Sequence, residues 1–237
     1  MPTILIQKGH HAPREPGFET GTGAAGEIEV VDKIGNQLAL ALNQDSRFRV
    51  RMIPGMVPPD IRSGAYEVDA YIALHCDGSI DKTRRGWGIG YPSGAVNKQL
   101  SDIMGAELAR IHPSDRIRDN YTTAMSGYYG YSRVPTPGPE ILIEHGFVSS
   151  TVEKRWMLEN AAAIAQAECA ALLKFFGLPA KPPKPADSWI TPSEAQGWWD
   201  PDKPIWETLP GPKGKPEWFW QADKELQRRR GVLRGAG

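Results

Sequence analysis

The stretch TILIQKGHH, residues 3–11, joins a short apolar run to a Gly-His-His loop. An apolar run of this length favours a buried β-strand, and the loop then follows the carboxyl end of that strand. From Glu27 to Leu42, apolar residues recur every three to four positions, which is the period of a helix with one buried face. A buried strand followed by an amphipathic helix is typical of α/β proteins, in which sites lie at the carboxyl ends of strands.

Three further segments have strand patterns. Residues 47–52, RFRVRM, alternate cationic and apolar side chains, which predicts a strand with one packed face near an edge of the sheet. Residues 68–75, VDAYIALH, and 140–144, EILIE, are rich in aliphatic and β-branched side chains and predict buried strands. The first of these two strands ends in His75 and the second ends in Glu144.

Helical patterns separate and follow these strands. Apolar residues over 100–111 mark an amphipathic helix. Ser150 and Glu153 have the spacing of a capping box, and the Ala-rich segment that follows favours a helix up to Phe176. We therefore predict an α/β fold with a single, mostly parallel twisted sheet flanked by helices.

Composition excludes several classes of protein. The chain has 237 residues, and lysine plus arginine balance aspartate plus glutamate at 28 each, so no net charge attracts nucleic acid or an anionic membrane surface. Its first residues lack the pattern of a signal peptide, and no segment approaches about 18 apolar residues. Cys76 and Cys169 form no CxxC motif, so any metal would be held by histidines and carboxylates.

The chain changes character near its carboxyl end. Residues 1–179 have the alternating strand and helix patterns, whereas residues 180–187, AKPPKPAD, predict a stiff Pro-rich linker. Residues 188–237 contain six of the eight tryptophans. This Trp-rich appendage is a candidate for stacking on sugar rings, and it is equally a candidate for a structural cover packed on the first domain.

Four candidate site residues follow from this arrangement: His10, Glu27, His75 and Glu144. Two imidazoles and one carboxylate are typical of a catalytic zinc site, whose fourth position stays open for water. Glu144 is then a spare carboxylate that can move protons. By itself His10 could be an ordinary loop histidine, and Glu29 competes with Glu27 because either could favour a helix N-terminus.

The residues around these four resemble the zinc-dependent N-acetylmuramoyl-L-alanine amidases of amidase type 3. The Gly-His loop of that family is matched by residues 8–11, and the Gly-containing loop before its helical glutamate by residues 21–27. Its arginine and Ser-Ile-His-x-Asn strand end correspond to Arg62 and residues 73–77. Its last strand, Leu-x-Glu-x-Gly-Phe-x-Ser-Asn, corresponds to residues 142–150. The resemblance covers residues 3 to 176 with the blocks in family order.

This resemblance implies that residues 1–179 are a zinc amidase catalytic domain, with His10, Glu27 and His75 as Zn²⁺ ligands. It implies that Glu144 is the catalytic glutamate, which takes a proton from the attacking water and passes it to the departing alanine nitrogen. The bond cut would be the peptidoglycan amide between N-acetylmuramic acid and L-alanine.

The sequence departs from the family pattern at positions next to the proposed site. The family's Asp-Pro is Gln7-Lys8 here, the Asn after the second histidine is Asp77, and the closing Asn is Ser150. None of these changes removes a proposed ligand or the proposed base. We expect them to change the groups that contact the ligands.

A wall-degrading amidase without a recognisable signal peptide resembles a phage endolysin. We therefore expect a monomer made in the host cytoplasm that acts on the bacterial cell wall, with peptidoglycan as its partner and neither nucleic acid nor membrane. Two alternatives remain at this stage. One is a zinc peptidase that acts on the stem peptide, and the other is a wall-binding protein without catalysis.

Overall fold

A computed structural model describes residues 1–10 and 23–179, which fall in one compact unit. The strands are β1 (Thr3–Lys8), β2 (Arg49–Ile53), β3 (Ala70–Asp77), β4 (Gly88–Gly90) and β5 (Glu140–Phe147). The helices are α1 (Glu27–Asn43), α2 (Pro59–Arg62), α3 (Ala95–Leu108), α4 (Thr123–Ser126), α5 (Thr151–Glu159) and α6 (Ala161–Phe175). The predicted linker over 180–187 and the Trp-rich segment over 188–237 lie outside the described residues.

The sheet has five strands in the order β2-β1-β3-β5-β4. The four longer strands run parallel, and β4 pairs antiparallel with β5. This confirms the predicted α/β fold with a mostly parallel sheet, and it confirms the edge position of β2. Strand β4 was not predicted, because a three-residue Gly-Ile-Gly segment is too short to show a hydrophobic period.

The two faces of the sheet are covered differently. On one face, side chains such as Ile4 and Ile72 pack into a core with the long helices α1, α3 and α6. On the other face, Tyr71 and Leu142 pack with residues of the short helices α2 and α4 and of the tyrosine-rich segment 128–131. The second face is therefore bounded by tyrosines and short segments, and it also carries the candidate site residues of β3 and β5.

The Ala-rich region after β5 forms two helices rather than one. Helix α5 ends at Glu159 and α6 begins at Ala161, with Asn160 between them. The Ser150 hydroxyl accepts a hydrogen bond from the backbone N–H of Glu153, as the capping-box spacing predicts. The Glu153 carboxylate instead accepts hydrogen bonds from the backbone N–H groups of Phe147 (2.8 Å) and Gly86 (3.1 Å). It therefore ties the end of β5 to the segment before β4.

The parallel strands bring their carboxyl ends to one edge of the sheet. His10 follows β1, His75 lies near the end of β3, Glu144 lies in β5, and Glu27 opens α1. Among the parts of the chain that the structure describes, no helix is long and apolar enough to cross a membrane.

Candidate metal centre

The structure brings together the three residues that the sequence predicts as metal ligands. One ligand atom from each of His10, Glu27 and His75 lies within 4.8 Å of the other two. Oε1 of Glu27 is 3.2 Å from Nδ1 of His75 and 3.8 Å from Nε2 of His10. The two imidazole rings are nearly perpendicular, with their centroids 5.1 Å apart. Two nitrogens and one carboxylate oxygen thus converge on one point.

Close packing of glycines makes this convergence possible. The backbone N–H of Gly9 donates to the carbonyl of Leu74 (2.9 Å). This hydrogen bond extends the pairing of β1 with β3 into the loop that contains His10. A Cβ atom on Gly9 would lie 2.4 Å from Cε1 of His75, and one on Gly23 would lie 2.4 Å from Oε2 of Glu27. Any larger residue would push these side chains away, so the close approach requires glycine at both positions. His10 itself has a positive φ of 54°.

Glu27 is held in place by backbone donors. It is 2% exposed, and its oxygens accept hydrogen bonds from the N–H groups of Ala24 (3.0 Å) and Cys76 (3.0 Å). Burial alone would raise the pKa of this carboxyl, but its contact with the His75 imidazole and the hydrogen bond from the N–H of Cys76 bring the pKa below its usual value. Glu27 is therefore an ionised carboxylate at neutral pH. Glu29 is instead 60% exposed and pairs with Lys154 at 2.7 Å, so the structure selects Glu27 over Glu29.

His75 has a partner at each ring nitrogen. Nδ1 faces Glu27, and Nε2 lies 3.1 Å from the hydroxyl of Tyr128, whose ring packs against the imidazole. Tyr128 was not among the residues predicted for the site, although it belongs to an unusual tyrosine-rich run, YYGY, over 128–131. Cys76, next along β3, packs in the core with its Sγ 4.0 Å from the sulfur of Met157, as expected for a small apolar residue.

Glu144 lies beside His75, one of the three predicted ligands. In the register of β3 and β5 it is the partner of His75, so both side chains project from the same face of the sheet. Its Oε2 atom is buried and has no hydrogen-bond partner within residues 1–10 and 23–179. Burial raises the pKa of Glu144 well above its usual value, and the nearby charges of Asp77 and Glu27 raise it further. An unpaired carboxyl of this kind is costly to bury and marks a functional position.

Asp77 adds a further carboxyl to this edge of the sheet. The hydroxyl of Tyr121 donates a hydrogen bond to its Oδ2. Burial raises the pKa of Asp77, and the hydrogen bond from Tyr121 offsets part of that rise. The substitution of Asp for the family's Asn therefore places a second acidic group near Glu144.

His145 lies next to Glu144 in β5, where the pairing of β3 and β5 is irregular. The pairing of β3 and β5 shifts register between His75 and Asp77. At this point the Nδ1–H of His145 donates to the backbone carbonyl of His75 (3.0 Å), and Nε2 lies 2.7 Å from Oε1 of Glu168 in α6. His145 and Glu168 are both fully enclosed in the protein, at 2% and 0% exposure. No local sequence pattern indicates the pairing of His145 with Glu168.

The donor set and spacing fit a zinc ion. Zinc binds imidazole nitrogen at about 2.0–2.1 Å and carboxylate oxygen at about 2.0–2.2 Å, so two ligand atoms on a tetrahedral ion lie about 3.3–3.5 Å apart. The 3.2 and 3.8 Å separations around Glu27 are close to this spacing. Three protein ligands also leave one position for water, as in catalytic sites. The arrangement is therefore a candidate zinc centre.

Comparison with protein families agrees with this arrangement. The model of the Amidase_3 family, described as N-acetylmuramoyl-L-alanine amidase, matches residues 4–174. The chain belongs to this family. It is accordingly an N-acetylmuramoyl-L-alanine amidase, and the family implies peptidoglycan as the substrate. A search of curated protein sequences found no significant match.

Solved structures of amidases share the fold. The catalytic domain of the amidase CwlV from Bacillus (Paenibacillus) polymyxa var. colistinus superposes with a TM-score of 0.60 at 16% identity, covering 76% of this chain and 100% of the other. An N-acetylmuramoyl-L-alanine amidase from Clostridium difficile 630 gives 0.58 at 17% identity, covering 74% and 97%. The catalytic domain of the CD27L endolysin, which targets Clostridia difficile, gives 0.53 at 20% identity, covering 73% and 98%.

Proposed function

We propose that this amidase hydrolyses the bond between N-acetylmuramic acid and L-alanine with a zinc ion held by His10, Glu27 and His75 and with Glu144 as the general base. The observation that supports the assignment of the base is the buried, unpartnered Oε2 of Glu144 beside His75. A zinc ion in this centre would act as a Lewis acid toward water and toward the scissile carbonyl.

The protein side chains then have separate tasks. Glu27 supplies a negative charge whose position is fixed by two backbone N–H groups, so the ligand set is organised before the ion binds. Glu144 takes a proton from the attacking water as the new carbon–oxygen bond forms. It returns this proton to the alanine nitrogen as the carbon–nitrogen bond breaks, so the peptide leaves with a neutral amine.

Product analysis tests the bond that is cut. The full chain is incubated with a purified muropeptide, and the new ends are identified by mass spectrometry. Cleavage by the proposed reaction produces a free lactyl carboxyl group on the muramic acid and an amino-terminal L-alanine. New ends within the stem peptide would instead identify a zinc peptidase and overturn the proposal.

Metal dependence tests the centre. A chelator should abolish cleavage, and added Zn²⁺ should restore it, because activation of the attacking water depends on the ion. The variant Glu29→Gln is a matched control, since this exposed residue lies on the same helix turn as Glu27 but pairs with Lys154. It should keep the activity and zinc content of the unmodified protein. Full activity in protein shown to be metal-free would contradict the zinc mechanism.

We also propose an endolysin role, in which the protein is made in the cytoplasm of a phage-infected cell and then degrades the cell wall. The similarity to an endolysin catalytic domain supports this role. Expression inside bacteria should leave the cells intact until the membrane is permeabilised, and lysis should follow at once. Cells that stay turbid after permeabilisation, although active protein is recovered from them, would contradict the role.

A further inference from the structure

Gln7 has a side-chain amide whose orientation is fixed by its surroundings. The residue is fully buried, and its Nε2 donates hydrogen bonds to the backbone carbonyl of Gly55 (2.5 Å) and to the hydroxyl of Tyr129 (2.7 Å). A carbonyl oxygen can only accept, so the amide nitrogen must face Gly55. The amide oxygen of Gln7 therefore faces the opposite way.

The amide oxygen of Gln7 faces two tyrosine hydroxyls. Oε1 accepts hydrogen bonds from Tyr71 and from Tyr128, the latter at 2.9 Å. A phenolic hydroxyl has one proton, and Tyr128 gives that proton to Gln7. Only the lone pairs of the Tyr128 oxygen then remain for Nε2 of His75, which lies 3.1 Å away. The contact is a hydrogen bond only if Nε2 of His75 carries the proton and donates it.

This proton assignment determines which nitrogen of His75 can bind an ion. With Nε2 protonated, the free lone pair is on Nδ1, which lies 3.2 Å from Oε1 of Glu27. We propose that Tyr128, oriented by Gln7, is a positioning residue that holds His75 with Nε2–H directed away from the centre and Nδ1 directed into it. This inference rests on the proposed function because it takes His75 to be a zinc ligand.

The inference also explains one departure from the family pattern. Gln7 occupies the position where that pattern has Asp, and a carboxylate could accept from Tyr128 but could not donate to Gly55. The amide does both, so it connects the loop at Gly55 to the tyrosine that contacts His75. Partners of this kind, which hydrogen-bond the second nitrogen of a ligating histidine, commonly change metal affinity by about 10–100-fold.

The test compares Tyr128→Phe with Tyr131→Phe in the full chain. The Tyr131 ring also packs against Tyr128, with centroids 5.7 Å apart, but within the described residues its hydroxyl makes no hydrogen bond to His75 or Gln7. Zinc affinity is measured by competition with a chromophoric chelator. The Tyr128→Phe variant should bind zinc about 10–100-fold more weakly, and Tyr131→Phe should bind like the unmodified protein. Thermal unfolding of both variants checks that each remains folded.

A spectroscopic measurement separates positioning from general packing. Long-range ¹H–¹⁵N spectra of the zinc-loaded protein should show His75 bound through Nδ1, with a proton on Nε2 that exchanges slowly with solvent. That proton should exchange faster in Tyr128→Phe. Binding through Nε2, or unchanged affinity and exchange in Tyr128→Phe, would overturn the inference while leaving the amidase proposal intact. An unmodified protein that binds no zinc would instead contradict the proposed function itself.

Discussion

Glu144 and His75 are register partners on neighbouring parallel strands, and their side chains project from the same face of the sheet. Their relative position is therefore set by backbone hydrogen bonds of β3 and β5 rather than by a loop. If Glu144 is the base and His75 a metal ligand, as proposed, their positions on adjacent strands require little reorganisation during catalysis. His10 differs, since it lies in the loop after β1 with a positive φ of 54°.

Changing each of the two glutamates of the site to glutamine should affect zinc binding and turnover differently. Glu144→Gln keeps size and shape but removes the base, so we expect a folded protein that binds zinc and loses about a hundredfold or more in turnover. Added zinc should not restore this loss. Metal analysis measures the zinc bound, and muropeptide cleavage measures the turnover. A zinc-depleted Glu144→Gln protein, or one with near-normal turnover, would show that the base is misassigned.

Glu27→Gln should instead lower zinc content and activity together. Glutamine is a weak neutral ligand, so the loss should follow metal affinity, and a high zinc concentration should recover part of the activity. Titration of activity against zinc concentration distinguishes this variant from Glu144→Gln. The ligand assignment is wrong if Glu27→Gln binds zinc as tightly as the unmodified protein.

Much of the fold could be predicted because each long element has its own period. The apolar run before Lys8, the helical period after Glu27 and the buried strand that begins at Glu140 are all local patterns, and the structure confirms them. The strand continues past its predicted end at Glu144 to Phe147. The parallel arrangement then follows from the alternation of strands and helices. His10, Glu27 and His75 could be predicted to meet because they lie at strand ends or at a helix start.

The contacts around the ligands could not be predicted in the same way. Tyr128 meets His75, and Glu168 meets His145, through pairings between residues 53 and 23 positions apart, and neither pair has a sequence period. The register shift at His75 is also invisible in the sequence, because it depends on how two strands pair. Local patterns thus placed the ligands, while tertiary packing determined what holds them.

Ending the chain after Pro179 should leave a folded, active catalytic domain. The described residues up to this position fall in one compact unit, and the family match ends at residue 174. If residues 188–237 bind wall sugars, the shortened protein should no longer sediment with purified cell walls but should still cleave a soluble muropeptide. Unfolding or aggregation of the shortened protein would instead support the structural-cover alternative.

Glu140 should make stability depend on pH. Burial raises its pKa from 4.5 to about 7, and its Oε1 has no hydrogen-bond partner in the described parts of the chain. Between these two pKa values the folded state binds more protons than the unfolded state, so stability falls as pH rises through this window. Glu140→Gln should remove this loss. The unfolding free energy of Glu140→Gln should exceed that of the unmodified protein by more at pH 8 than at pH 5, with a difference of up to about 3 kcal/mol between the two pH values.

Urea unfolding of both proteins at the two pH values measures this difference. Glu159→Gln is a suitable control because this residue is exposed at the end of α5, so its effect should be the same at both pH values. An equal gain for Glu140→Gln at pH 5 and pH 8 would show that Glu140 is ionised normally in the folded protein.

The buried pair of His145 and Glu168 should contribute to both stability and metal binding. Glu168→Leu removes the partner of Nε2 of His145 and leaves a polar group without a hydrogen bond in the core, which should cost about 3–5 kcal/mol of unfolding free energy. Because Nδ1 of the same ring donates to the carbonyl of His75, a displaced His145 should also weaken zinc binding. Glu168→Gln keeps an acceptor at this position and should cost about 1–3 kcal/mol. Denaturant unfolding and zinc titration of both variants check that Glu168→Leu loses more than Glu168→Gln. A Glu168→Leu protein as stable as Glu168→Gln would show that the hydrogen bond between His145 and Glu168 does not support the site.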